Sequence, residues 1–296
     1  STASYVNAYT GDYADSLAFS REARAISESV HNVWGISYSL WTAGSVYWEL
    51  GQPQQAIEAM RECIHYSDEA GFMISQIYLR TDLAWVFAEL GDLDRAQALI
   101  RDATALAEEG NTHLLPYIQA RSALMAIAQG ELTTAAEILA AMWAKDVPIN
   151  VVQPRMLTLA DCLLPLAQGE HEKTVQCCQD RLGDLRKYGL RGYVPGTLLV
   201  HGRALAALGK TDEAEDALRA ALDCAQKIGA RWIEWQILVA WSILHPKGER
   251  GEVKRAQAQT LIEEIANNLD DPQLRNSFMA REDAQQMLVD SPSQSI

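Results

Sequence analysis

Two interleaved combs of glycine, each with a period of about 40 residues, constrain this chain more than any other feature. Gly11, Gly51, Gly91, Gly130, Gly169 and Gly209 each precede a polar residue, and their spacings are 51−11=40, 91−51=40, 130−91=39, 169−130=39 and 209−169=40. A degraded seventh copy lies near Gly248 or Gly251. Between these stand Gly71, Gly110, Asn150, Gly189 and Gly229. Glycine and asparagine tolerate the left-handed backbone that ends a helix, so two combs mean two helix stops per repeat. The stretches between stops carry helical patterns. Ile74, Ile77, Tyr78, Leu83, Trp85, Val86 and Leu90 recur without an interior Pro or Gly, and Leu93, Ala96, Leu99, Ile100, Ala103 and Leu106 follow an Asp92 suited to capping.

Each repeat is therefore a helix hairpin, and one hairpin cannot bury its own apolar stripe. Stacked neighbours can. The expected fold is all-α: a right-handed α-solenoid of about six and a half hairpins, forming a single domain over residues 1–288. The expected junctions lie near Gly11, Gly51, Gly91, Gly130, Gly169, Gly209 and Gly248, with one capping helix over 269–288 and a disordered polar tail over 289–296. Ser1, standing where a Met would open a complete chain, hints at a fragment or a processed protein.

Inside the repeat, small residues recur at fixed places. Seven before the junction glycine stand Gly44, Ala84, Ala123, Cys162 and Gly202. Five after it stand Ala56, Ala96, Ala135 and Ala214, with Ser16 and Thr174 as departures. Twelve after it come Ala23, Cys63, Ala103 and Ala221, with Met142 and Arg181 breaking the pattern. Helix backbones approach closely only where side chains are small. This set resembles the tetratricopeptide motif, and the long period resembles the repeat region of the maltose-regulator type of bacterial signalling protein. The stretch Leu274–Arg281 is similar to the C-terminal end of such proteins. The resemblance implies a non-enzymatic, cytoplasmic scaffold for protein–protein contact and regulation. It further implies a place within a larger signal-transduction or transcription-regulating ATPase or cyclase, whose effector domain would be a partner.

In tetratricopeptide arrays the first helix of each hairpin lines the concave groove, at 13, 10, 9, 6, 3 and 2 residues before the junction glycine. This implies Tyr38, Trp41, Thr42, Ser45, Trp48 and Glu49 in the second repeat. The third contributes Tyr78, Thr81, Asp82, Trp85, Ala88 and Glu89, and the fourth Tyr117, Ala120, Arg121, Leu124, Ile127 and Ala128. Met156, Leu163, Arg203 and Trp235 follow farther along. Tyr38, Tyr78 and Tyr117 share one position and form a ladder. Aromatic rings beside carboxylates suit a basic or apolar peptide, or a sugar or metabolite stacked on the rings. The same residues also suit internal packing. Arg121 and Arg203 can anchor an acidic group or form surface ion pairs.

Composition and motifs exclude more than they assign. With 25 Lys+Arg against 39 Asp+Glu, a net charge of −14 argues against nucleic acid or an anionic membrane as partner of this segment. The five cysteines, Cys63, Cys162, Cys177, Cys178 and Cys224, show no metal-site spacing and read as small buried hydrophobes. No cofactor is expected. Gly209-Lys210-Thr211 lacks the earlier glycine of a phosphate loop, that place being Ala204. His171-Glu172 lacks the second histidine of a zinc-protease helix, where Val175 stands. Asp161 and His201 hold equivalent places in successive repeats and are expected to form a polar core pair.

Overall fold

A computed structural model describes residues 2–143 and 153–288 of the backbone, and side chains over 2–142 and 159–288. Asn150, the Met156 side chain and the tail beyond 288 lie outside the described residues. The chain folds as seven stacked hairpins with no strand among the described residues. They are α1 (Thr2–Thr10) with α2 (Tyr13–Ser29), α3 (Val33–Glu49) with α4 (Pro53–Glu69), and α5 (Met73–Glu89) with α6 (Leu93–Glu108). Then come α7 (Leu115–Ala128) with α8 (Leu132–Trp143), α9 (Gln153–Ala167) with α10 (His171–Lys187), α11 (Val194–Ala207) with α12 (Thr211–Ile228), and α13 (Arg231–Leu244) with α14 (Glu249–Asn267).

The junction glycines end their helices as the combs require. At Gly51, φ is +69°, the Gly51 N–H donates to the Trp48 carbonyl at 2.9 Å, and Gln52 N–H reaches back to Tyr47 at 2.9 Å. This is the paired-bond stop of a Schellman motif, which satisfies two orphan carbonyls at once. Asp92 and Gly91 repeat it on Phe87 and Ala88. The second comb has two exceptions. Gly110 keeps an ordinary φ, and a 3-10 turn (Thr112–Leu114) carries the chain into α7. One period before Gly71, at 71−40=31, His31 takes the left-handed backbone at φ +52° and is exposed. A side chain there is strained and makes no buried contact, so His31→Gly should stabilise the fold by about 1 kcal/mol. A urea titration reads this; an unchanged or lowered midpoint would refute it.

The small residues sit where helices touch. A Cβ on Gly44 of α3 would overlap Met60 Cγ of α4, and one on Gly202 would lie 2.9 Å from Leu218 Cγ. Gly44→Ala gains about 1 kcal/mol of helix propensity but overpacks a closed interface. The net expectation is a loss of about 1–2 kcal/mol by urea denaturation.

The stack closes on itself. Gly11 packs beside Ile228, a Cβ at Gly51 would lie 3.0 Å from Arg231 Cβ and 3.3 Å from Ile265 Cγ1, and Gly91 abuts Ser277. Arg191 grips Asp12 through one nitrogen at 2.7 and 2.9 Å, and Arg95 bonds Asp271 at 3.0 Å. On the inner side Trp48 meets Trp232 with centroids 3.7 Å apart, and Tyr9 stacks on Tyr193 at 5.9 Å. The junction turns of the first three hairpins thus lie against the last third of the chain. The segment expected as one capping helix is two short ones, α15 (Pro272–Met279) and α16 (Glu282–Leu288). Leu274 and Phe278 of α15 are buried, with Phe278 5.5 Å from Trp232 and 5.9 Å from Trp235. The break between them turns Arg281 inward.

Candidate functional site

Closure converts the concave wall into a central cavity of about 470 Å³. Of the residues singled out in the sequence, Trp41, Ser45, Trp48 and Glu49 of α3 line it, as do Tyr78, Asp82, Trp85 and Glu89 of α5. So do Tyr117 and Arg121 of α7 and Arg203 of α11. Tyr38 does not. It stacks on Trp34 at 5.1 Å and packs near Phe72, toward the mouth of the second hairpin. The aromatic ladder runs instead from Trp41 to Tyr78, 4.9 Å apart, and on to Tyr117, another 4.2 Å.

A buried charged cluster occupies the wall beneath the ladder. Asp82, whose side chain is only 8% exposed, accepts from Tyr117 Oη at 2.6 Å and from Arg121 Nη2 at 3.0 Å through the same oxygen. Burial, then the Asp82 charge, holds the Tyr117 phenol well above its usual range. Burial works against the Arg121 charge, and Asp82 more than offsets it. Arg121 also lies over the Trp85 ring at 5.3 Å, while its Nε is buried without a hydrogen-bond partner. Arg121 is therefore part of an interior network, and the surface-ion-pair expectation fails for it.

A second cluster lies at the seam. Glu89 accepts from Trp232 Nε1 at 3.2 Å, and Arg281 Nη1 sits 3.6 Å from its carboxylate. Arg281 also donates to the Glu89 backbone carbonyl at 2.6 Å and chelates Asp283 at 3.0 and 2.9 Å. Burial raises the Glu89 pKa against the opposing Arg281 charge. Glu49 is half-buried nearby, and desolvation pushes its carboxyl from 4.5 up to about 7, with Arg121 opposing and Glu89 adding to the rise. Burial lowers the Arg203 pKa, with Asp283 opposing.

Several lining residues escaped the sequence reading, and some were within its reach. Applied to the short first repeat, the groove positions six and two before Gly11 are 11−6=5 and 11−2=9, which are Tyr5 and Tyr9; both line the cavity. Trp235 is a correction. It is fully buried, with its Nε1 unpaired, and Trp232 faces the cavity in its stead. In the second to sixth hairpins the first helix ends two residues before its glycine, but α13 ends at Leu244, which puts the effective junction at 244+2=246 and not at 248. Counting back from 246 gives 246−13=233 and 246−10=236, and Ile233 and Gln236 do line the cavity. Tyr193, Arg281 and Asp283 carry no repeat signal. Asp161 and His201 do not pair: Asp161 meets Arg181 at 3.3 Å, and His201 Nε2 is buried without a partner. Cys63, Cys162 and Cys178 are buried, and Cys177 and Cys224 are half-buried. Among the described residues no helix is long and apolar enough to cross a membrane. No cluster of potential metal ligands occurs among them either.

Helix hairpins stacked through small residues and wrapped around an inner wall define a tetratricopeptide-type repeat scaffold. The family model described as the MalT-like TPR region matches residues 1–267, and the chain belongs to that family. No curated protein shows a significant match to it.

Proposed function

We propose that this chain is a regulatory scaffold whose central cavity receives a small molecule, a sugar or another metabolite. One observation carries the reading: the inner wall is closed by contacts between hairpins far apart in the chain, around a space of about 470 Å³. Small-molecule sites occupy roughly 300–1,000 Å³ and combine apolar walls with a few convergent polar groups. An extended peptide needs a continuous open groove, and the Trp48–Trp232 and Glu89–Arg281 contacts bridge this one. Because the same contacts join the two halves of the array, a ligand touching both shifts the balance between closed and relaxed rings. Membership of the MalT-like family supports a place for the chain within a larger bacterial signalling protein, in the cytoplasm, beside an ATPase, cyclase or transcription-regulating output domain.

Trp41 and Trp85 are half-buried on the cavity wall and take no part in the seam, so they are the residues to change. A metabolite that binds should alter tryptophan fluorescence and titrate by calorimetry. Trp41→Ala with Trp85→Ala should weaken binding at least tenfold with helicity unchanged. Loss of helicity would make both residues structural, and a flat screen of metabolites would sink the ligand reading.

A protein partner is favoured elsewhere by a separate observation. Ile26, Val30 and Trp34, on the outside of the turn joining the first two hairpins, are 60%, 65% and 47% exposed. Exposed apolar residues grouped this way mark contact surfaces. Val30→Asp with Trp34→Asp should release such a partner and leave ligand binding intact.

A further inference from the structure

The cavity's charges do not all balance internally. Asp82 has Arg121 and Tyr117, Asp283 has Arg281, and Glu89 has Trp232 and Arg281. Glu49 and Arg203 remain. Among the described residues neither makes a hydrogen bond or an ion pair, yet both line the cavity and both feel the charge of Glu89. They belong to the second and sixth hairpins and are not paired with one another. The principal charges on Glu49 are Arg121 and Glu89, and those on Arg203 are Asp283, Arg281 and Glu89.

A half-buried charge without a partner loses part of its hydration, and an apolar side chain of the same volume would pack there at lower cost. Two such charges of opposite sign, facing one ligand-sized space, are an arrangement that a bound molecule completes. The planar guanidinium of Arg203 matches a carboxylate or phosphate, whose two oxygens meet its forked donors. Glu49 requires a donor. Trp41 and Tyr78 line the same wall, as does Trp85 beneath the Arg121 guanidinium, and aromatic rings attract an ammonium more than a hydroxyl. We propose that the cavity binds a small zwitterion, its oxyanion on Arg203 and its ammonium at Glu49 against the aromatic wall. This rests on the cavity being a ligand site.

The probes are the twenty free amino acids, with phosphoethanolamine as the phosphate-bearing arm. Their matched controls are the corresponding primary amines and N-acetylated acids, with glucose and maltose as neutral controls. Thermal shift on the whole chain, followed by calorimetry, should find at least one zwitterion that binds while its amine and its acetylated acid do not. Arg203→Gln and Glu49→Gln should each weaken that binding tenfold or more. A carboxylate-bearing hit or a phosphate-bearing hit identifies the oxyanion. If only a neutral sugar binds, and Arg203→Gln leaves it unaffected, the cavity is a ligand site and the zwitterion proposal falls. If neither zwitterions nor neutral probes bind, both fall. A readout without ligand separates a binding role from a structural one. Arg203→Met should raise the melting temperature of the free protein, because it removes an unpaired charge; a lowered one makes Arg203 structural and overturns the proposal.

Discussion

Arg121→Met should destabilise the protein by about 3–5 kcal/mol, among the largest losses expected of any single substitution in the cavity wall. The size follows from what is left behind. The Asp82 side chain is 8% exposed and has two partners, Tyr117 Oη at 2.6 Å and Arg121 Nη2 at 3.0 Å. Without Arg121 the carboxylate keeps one neutral donor in a wall of rings and aliphatic chains. It must then either remain charged and poorly solvated or take up a proton. The methionine preserves much of the arginine stem's packing, including contact with the Trp85 face, so the loss reports the charge and not a void.

The pair itself need not be stabilising. Removing two charges from water costs about as much as their attraction returns, which is why apolar replacements of whole buried pairs are often neutral. Asp82→Leu combined with Arg121→Met should therefore recover most of the stability lost in the single variant. Urea denaturation of the parent, both single variants and the double variant completes the cycle. A single-variant loss under about 1 kcal/mol would mean that water reaches Asp82 freely. A double variant as unstable as the single one would mean that Tyr117, stripped of its acceptor, matters more than the ion pair.

What the sequence could and could not show divides along a physical line. The combs encode local events, since each glycine is needed where one helix stops, and counting between stops gives the hairpins and the lining positions along α3, α5 and α7. The same count would have given Tyr5 and Tyr9, whose repeat is recognisable although its first helix is short. It failed at the seventh hairpin because the turn after Leu244 lacks the usual two-residue stop, so a count from Gly248 landed on the core residue Trp235. Ring closure left no local mark. It depends on how the rotation between neighbours accumulates over several repeats until Gly51 meets Arg231 and Trp48 meets Trp232. Arg281 and Asp283 lie outside the repeat, so only closure brings them to Glu89. Tyr38 shares its repeat position with Tyr78 and Tyr117, but Trp34 and Phe72 supply it with other aromatic neighbours.

Glu49 should make stability fall as pH rises across the neutral range, and Glu49→Gln should remove that fall. Its carboxyl titrates near 7 in the folded protein against 4.5 ordinarily, chiefly through desolvation, with Glu89 raising it further and Arg121 opposing. Below pH 4.5 it is protonated in both folded and unfolded chains, and its contribution is complete. Between 4.5 and 7 the folded chain still holds a proton that the unfolded chain has released, so each step upward favours unfolding. Above 7 the cost is constant, on the order of 3 kcal/mol for a shift of this size. Glutamine keeps the shape and carries no charge. Glu49→Gln should match the parent near pH 4.5 and exceed it by an amount of that order at pH 8. Urea midpoints at pH 5, 6, 7 and 8 test this, and parallel curves for the two proteins would refute it. Glu89, also raised, leaves a residual slope of the same sign in the variant. Glu49→Gln should thus gain stability above neutral pH while losing the acidic group the cavity offers a ligand. That is the exchange expected of a charge kept for binding and not for folding.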